Sequence, residues 1–274
     1  MLKRYIALLI IAMWTTGMAA AQQRTIQTAK QRTTMQKMKV EIWSDIMCPF
    51  CYIGKRHFEE AMGSFADSNN VEIVWKSFQL DPTIPQSFDK APSVYQYLAD
   101  KKGFSYEQSV QMHDRVIQMA KDAGLQYNFD IAVVANSFNA HRMIQLAKTK
   151  GLGDEAEERL FLAYFTQGKN FGSPEVLVEL GKEIGLTEAD VKEALSNEAY
   201  ANKVRQDVQE AQSIGVTGVP FFVFDRKYAI SGAQPTQAFV QTLEKSFGEW
   251  RAANPAIELQ VSDGPACTPD GECK

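Results

Sequence analysis

The sequence predicts an α/β fold in which a long, all-helical block interrupts a small sheet. Three observations carry that prediction. A strand-like run, an amphipathic helix and a second strand-like run follow one another between Lys39 and Leu80. Helical periodicity then takes over for roughly a hundred residues or more. Strand character returns in VTGVPFFVFDRKYAISG, Val216 to Gly232, before a final helix. With 274 residues, 45% hydrophobic and 23% charged, the chain has enough apolar surface for one large domain or two small ones. A formal net charge of -4 and a pI of about 5.5 give no overall attraction to phosphate backbones, so nucleic acid is not expected as a partner.

The first residues read as a targeting segment. Lys3 and Arg4 precede an apolar stretch from Tyr5 to Trp14, and Ala19 and Ala21 fit an A-x-A cleavage site, which predicts a signal peptide over residues 1–21 and export, with the periplasm as the expected location. Translation starting at Met35 or Met38 would instead give a cytoplasmic protein. Residues 22–38 are polar, without acidic side chains or a sustained apolar period, and read as a linker; no membrane contact is expected beyond the signal segment. The folded domain is expected over 39–247, with its helical insertion at about 90–213, and a tail over 248–274.

Within that domain each element has a local reason. In KVEIWS, Lys39 to Ser44, Val40 and Ile42 alternate with Glu41 and Trp43, as a strand requires. From Pro49 to about Phe65, Phe58, Ala61, Met62 and Phe65 recur at helical spacing, and proline suits a first helical position. VEIVWKSFQL, Val71 to Leu80, completes a strand–helix–strand unit. Five helices are then marked: by Val110, Val116, Ile117 and Ala120; by Phe138, Met143, Leu146 and Ala147; by Leu160, Phe161, Tyr164 and Phe165; by SPEVLVELGKEIG, with Ser173 as N-cap and Pro174 following; and by TEADVKEAL. These stripes are packing faces. Val219–Phe224 and Lys227–Ser231 flank Asp225 and Arg226 as a hairpin, 235–247 forms the last helix, and the segment from Trp250 onward reads as loosely ordered.

Four cysteines fall in two close pairs, Cys48 with Cys51 and Cys267 with Cys273. That is too sparse for a disulfide scaffold, so the core must hold the fold. In CPFC, Cys48 stands at the mouth of a helix and Cys51 one turn in, which places both sulfurs on one face within disulfide reach. Unpaired N–H groups at a helix start favour a thiolate on Cys48, making it the attacking sulfur, with Pro49 and Phe50 tuning the redox poise. A zinc site would need two more ligands, and the spacing of Cys267 and Cys273 suits common zinc pairs poorly, so no metal is expected. A cysteine hydrolase would need a histidine base, yet His57 falls on the opposite face of the helix, and His113 and His141 could reach the sulfurs only through the fold. Pro220, opening an apolar run, marks a strand entrance or edge whose Val219–Pro220 bond is cis or trans.

Taken together, VEIWSDIMCPFCYIGK, the helical insertion and GVPFF resemble the DsbA-like branch of the thioredoxin superfamily, nearest to FrnE-like dithiol-disulfide oxidoreductases, over approximately Lys39 to Phe247. The resemblance implies a thioredoxin-like fold with an inserted all-helical domain closing a cleft over the redox site. It implies Cys48 as exposed nucleophile, Cys51 as resolving cysteine, and Pro220 as the cis-proline facing them, with Val219 presenting its backbone to a bound peptide or glutathione. ANSFNAHR, Ala135 to Arg142, looks like the family's insert, which puts His141 beside the cleft as an accessory residue. Asp45 is either a loop and cap residue or an aid to proton transfer at Cys51. Cys267 and Cys273 match a second pair found in certain relatives, either a relay of electrons to the first pair or a local staple of the tail.

The function expected is therefore thiol–disulfide exchange through a redox-active disulfide, with no other cofactor. Its expected partners are thiol- or disulfide-containing proteins, with glutathione or a thioredoxin-like protein as redox partner. Two rivals are weighed. A glutathione-dependent isomerase or transferase of the kappa or hydroxychromene-carboxylate type shares the inserted fold, but such proteins usually carry serine where Cys48 stands. A peptide-binding chaperone would use its cysteines as structural clips only.

Overall fold

The two strand signals that flank the first helix lie side by side. In this computed structural model, which describes residues 36–255, β1 (Met38–Ser44) pairs in parallel with β2 (Val71–Ser77), from Met38 opposite Val71 to Ser44 opposite Ser77. Helix α1 (Pro49–Ser64) connects them. On the other edge of β1 lies antiparallel β3 (Phe221–Phe224), followed by antiparallel β4 (Tyr228–Ser231), so the mixed sheet has the order β2-β1-β3-β4. Between β2 and β3 the chain forms seven helices: α2 (Val94–Lys102), α3 (Tyr106–Asp122), α4 (Phe138–Thr149), α5 (Gly153–Phe165), α6 (Pro174–Glu183), α7 (Glu188–Ser196) and α8 (Glu198–Ser213). Helix α9 (Thr236–Ala253) follows the hairpin. Met38–Trp250 form one unit of the chain; the other, Met1–Lys37 with Arg251–Lys274, is described only at 36–37 and 251–255.

Strand alternation supplies apolar groups to both faces of the sheet. Met38, Val40 and Ile42 of β1 pack with Phe58 of α1 and with Phe239, Leu243 and Phe247 of α9. Trp43 faces the other way, against Ala211 of α8, Val216 and Val223. A separate apolar cluster fills the helical block and extends to Cys48 and Cys51. Asp207 of α8 seats this block on the sheet: its carboxylate accepts hydrogen bonds from Lys76 Nζ at 3.0 Å, the Ser77 N–H at 3.0 Å and Gln145 Nε2 at 2.6 Å, and its carbonyl accepts from Trp43 Nε1 at 2.9 Å. On the far side, buried Lys55 of α1 lies 3.2 Å from Asp154 and 3.1 Å from Glu158 of α5.

Several expected boundaries shift for identifiable reasons. Strand β2 ends at Ser77 rather than Leu80, because after the Phe78 N–H bonds Ser44 O at 2.9 Å the Leu80 N–H turns to the Asp45 carboxylate at 2.7 Å. Strand β3 begins at Phe221 rather than Val219, since Pro220 has no N–H to give the ladder. Asp225 and Arg226 both take left-handed φ values, 47° and 55°, and the turn they make delays β4 to Tyr228. Helix α9 runs on to Ala253: Trp250, expected to begin a loose tail, packs 5.3 Å from the Phe247 ring and is buried. Helices α2 and α8 carry no strong apolar stripe and were not expected. Ser93 caps the first by accepting from the Gln96 N–H and Asn197 the second by accepting from the Ala199 N–H, and α8 buries only small residues, Ala201, Val204 and Ala211, around Asp207. The signal peptide expected over 1–21, most of the 22–38 linker, and Cys267 and Cys273 lie outside the described residues.

Candidate active site

The site is assembled where β1 stops and α1 starts. Cys48 is the N-cap of α1, with extended backbone (φ -85°, ψ 109°) and Pro49 behind it at the first turn. The turn is closed by the Cys48 N–H donating to Asp45 O at 2.9 Å and the Cys51 N–H to Cys48 O at 3.0 Å. Tyr127 O–H donates to Pro49 O at 2.8 Å, fixing the motif from the helical block. Both cysteines are free thiols in this structure. Opposite them the Val219–Pro220 peptide bond is cis, and the Cys48 thiol donates to Val219 O at 3.3 Å. A β-carbon at Gly54, one turn after Cys51, would stand 3.0 Å from Pro220 Cγ, so the absence of a side chain there lets the proline loop settle against α1.

Burial separates the two sulfurs in role. Cys48 is 3% exposed and Cys51 1%, which corrects the expectation of an exposed nucleophile: the helical block closes over the pair. A cavity of about 400 Å³ reaches Cys48 nonetheless, walled by Met47, Phe50, Leu80, Leu98, Met112, Val116, Phe129 and Val219, with Tyr164 and His113 also on its surface; Cys51 is not among its lining residues. The thiol of Cys51 is pushed well above its ordinary value, first by burial and then by hydrogen bonding and charge from Cys48, against the backbone of Asp45 and the side chain of Ser44. One sulfur faces the cavity. The other is kept protonated beneath it.

Beneath Cys51 lies a group of polar side chains with no outlet to solvent: Ser44, Asp45, His141 and Glu157 are each at most 1% exposed. Asp45 Oδ2 accepts from the Leu80 N–H at 2.7 Å and Oδ1 from the Met47 N–H at 3.4 Å, so its carboxylate ties the loop after β1 to the end of β2. His141 Nε2 lies 3.6 Å from Asp45 Oδ1, an ion-pair distance. Burial, the largest influence, pulls the imidazole down, but Asp45, Glu157 and the backbone of Phe78 together hold it above its ordinary value. Glu157 is pushed up to about 7, by burial first and by the Asp154 and Asp45 carboxylates, against the attraction of His141 and Lys55.

The structure thus brings together Cys48, Cys51, Pro49, Phe50, Val219, Pro220, Asp45 and His141. The other histidines stand apart: His57 Nδ1 meets Gln234 O at 2.8 Å, and His113, on the cavity wall, is bonded through Nδ1 to Ser109 O at 2.8 Å. Sequence reasoning missed Ser44, Tyr127 and Glu157. Glu157 left a signal, since it stands three, four and seven residues before Leu160, Phe161 and Tyr164, where the stripe of α5 calls for an apolar side chain. Ser44 and Tyr127 left none.

Comparison with known proteins places the chain in a family. Residues 39–244 match the DSBA-like thioredoxin domain. An uncharacterized protein of Bacillus subtilis, YwbO, is 30% identical over 186 residues, covering 67% of this chain and 85% of its own. The crystal structure of a probable DsbA oxidoreductase from Streptomyces coelicolor is 38% identical, with a TM-score of 0.72, covering 86% of this chain and 98% of that one. The cytosolic disulfide reductase DsbM from Pseudomonas aeruginosa, 16% identical with a TM-score of 0.55 over 77% of this chain and 99% of its own, shares the fold; it has also been solved with GSH.

Proposed function

As this chain belongs to the DSBA-like thioredoxin domain family of thiol–disulfide oxidoreductases, we propose that it works as a FrnE-like dithiol–disulfide oxidoreductase through its Cys-Pro-Phe-Cys motif. Cys48 attacks a substrate disulfide, or a substrate thiolate attacks the oxidised pair, and Cys51 resolves the mixed disulfide. The single observation that carries this reading is the division between the sulfurs: Cys48 lines the cavity at the helix start, and Cys51 is sealed below with its proton retained. Attack by a protonated thiol is slow, so such a pair acts in a fixed order.

Proteins bearing thiols or disulfides are the proposed substrates, their extended backbone held beside Val219 and Pro220. The cavity's volume of about 400 Å³ also suits a small thiol, and this supports glutathione, or a thioredoxin-like protein delivering a single cysteine, as the redox partner. Retention of both cysteines favours exchange over a kappa-type transfer, which needs one sulfur or a serine. The leader expected from the first residues supports export to the periplasm, to be checked by the N-terminal sequence of the mature protein. A second disulfide between Cys267 and Cys273 is proposed to serve either as relay or as staple.

The decisive test is a trap. Cys51→Ser should accumulate mixed disulfides through Cys48 when incubated with disulfide-bearing proteins or glutathione disulfide, and Cys48→Ser should accumulate none. A Cys51→Ser protein with full exchange activity and no trapped adduct would refute the assignment.

A further inference from the structure

Part of the polar wall of the Cys48 cavity is already paired. The Asp81 carboxylate accepts from Tyr97 O–H at 2.6 Å, from Lys101 Nζ at 2.6 Å and from the Thr83 N–H at 3.0 Å, so its charge is offset. Three groups on the same wall are not paired. Tyr164 is 3% exposed, and its hydroxyl has no hydrogen-bond partner among the described residues. Phenylalanine would pack as well there, since a buried O–H that bonds nothing is costly. His113 Nδ1 meets Ser109 O at 2.8 Å; a carbonyl only accepts, so Nδ1 carries the hydrogen, and Nε2 of the neutral ring is an acceptor without a partner among the described residues. Lys102, in the last turn of α2, has no carboxylate at ion-pair distance among the described residues.

We propose that Tyr164, His113 and Lys102 form a recognition site for a low-molecular-weight disulfide that carries an amide and a carboxylate, and that this site sets which substrates Cys48 prefers. The inference rests on the reading of Cys48 as nucleophile and adds to it the groups that choose the substrate. Tyr164 O–H donates to a carbonyl of the bound molecule, His113 Nε2 accepts from one of its amide N–H groups, and the Lys102 ammonium attracts its carboxylate. Met47, Phe50 and Leu80 cover the carbon chain around its sulfur. The Cys48 thiolate attacks the nearer sulfur: the bond from Cys48 to that sulfur forms, the substrate S–S bond breaks, and its electron pair leaves with the far half as a thiolate. The half held by the wall stays bonded to Cys48 until Cys51 displaces it.

The surroundings hold two of these groups in place and in the required protonation state. The Tyr164 ring packs against Phe165 and Phe171, with centroids 4.6 and 5.1 Å away. Burial, joined by the Asp45 carboxylate, pushes its hydroxyl up, so it remains a donor. The His113 ring is clamped between Tyr95 at 4.8 Å and Phe129 at 4.6 Å. Burial pulls its imidazole below the ordinary value, against the Ser109 carbonyl and Asp114, which keeps the ring neutral and Nε2 an acceptor. Lys102 acts differently: its side chain is exposed, so it selects by charge and not by fixed geometry. With Lys101 tied to Asp81, Lys102 is the cation on this wall that a carboxylate complements and an ammonium group does not. A volume of about 400 Å³ suits a molecule of this size and excludes a folded domain. All three residues come from the helical insertion, which therefore supplies the selectivity while the sheet and α1 supply the sulfurs.

The test measures choice among substrates. The reduced full-length protein is mixed with glutathione disulfide, which bears amides and carboxylates, with cystamine, which bears ammonium groups, or with hydroxyethyl disulfide, which is uncharged and has no amide. Acid quenching, digestion and mass spectrometry count oxidised Cys48, whether as adduct or as Cys48–Cys51 disulfide, and each rate is divided by the same disulfide's rate with free cysteine. The wild type should prefer glutathione disulfide over both others by roughly 10-fold or more. Tyr164→Phe, His113→Leu and Lys102→Gln should each reduce that preference roughly 3- to 10-fold, through the half-saturating concentration and not the plateau rate. His113→Gln, which keeps an acceptor, should retain more of it than His113→Leu, and Lys102→Glu should shift the preference toward cystamine. Because Lys102 is exposed, its variants read the site even where a change at Tyr164 or His113 disturbs folding. A wild type without the preference, a Lys102→Glu protein that keeps it whole, or variants that slow all three disulfides equally would overturn the recognition site and leave the cysteine assignment standing. A wild type in which no disulfide oxidises Cys48 would overturn both.

Discussion

Glu157→Gln should stabilise the protein above neutral pH and leave its stability unchanged in acid. The amide matches the protonated carboxyl in shape and keeps the contact with Ser44, so the two differ only when the carboxyl must ionise. In the folded protein that happens at about 7, against 4.5 in the unfolded chain. Between those values the folded state holds a proton that the unfolded state has lost, so wild-type stability falls as pH rises through this window. At ~1.36 kcal/mol per pH unit, the interval from 4.5 to about 7 amounts to roughly 3 kcal/mol, lost in full above neutrality. His141 adds a slope of the same sign, since its folded value lies above 6.5: its contribution is complete below 6.5 and disappears as pH rises through the folded value. Urea unfolding followed by circular dichroism, with a reductant present, would compare the proteins at about pH 4.5 and about pH 8. The variant should match the wild type at the first and exceed it by roughly 3 kcal/mol at the second. An equal change at both pH values, or a variant less stable at the higher one, would refute the buried, raised carboxyl.

Phe58→Ala should cost about 3–5 kcal/mol by urea unfolding, because its fully buried ring sits 5.5 Å from Phe222, 6.3 Å from Phe224 and 5.8 Å from Phe239, where no neighbour can close the void. Asp207→Ala should cost about 2–4 kcal/mol in the same assay, since it leaves the Ser77 N–H buried without its acceptor and takes one of two acceptors from the Gln145 amide, which keeps Ser77 Oγ at 2.9 Å, while Lys76 keeps Glu210 at 2.8 Å. Gly54→Val should cost about 1–3 kcal/mol through overpacking against Pro220 and Phe222, and should slow exchange with glutathione disulfide as the proline loop is pushed away from Cys48.

The core of the candidate site could be read locally. Cys48, Pro49 and Cys51 stand within one turn at a strand–helix junction, and the chemistry of that junction is set by the first free N–H groups of a helix, whatever surrounds them. The parallel pairing of β1 with β2 was equally readable, because a helix between two apolar runs leaves few other ways to bury them. Helices α6 and α7 announced themselves through Ser173 and Thr187, whose caps involve residues only three positions apart.

What no window of sequence contained are the contacts made across the insertion. Helix α8 escaped notice because its buried side is made of alanines, a valine and Asp207, and that carboxylate has a purpose only once Ser77, Lys76 and Gln145 surround it. Ser44 looked like the end of a strand until α5 laid Glu157 beside it, 113 residues away along the chain. The sequence by itself determined the cysteine pair at the helix start and the elements that carry it, since helix starts, caps and alternating strands are short-range physics. Only the tertiary structure decided that Cys48 faces a cavity under the helical block, that Cys51 keeps its proton, and that a glutamate lies buried nearby, because desolvation and charge coupling belong to the packed interior and to no single segment.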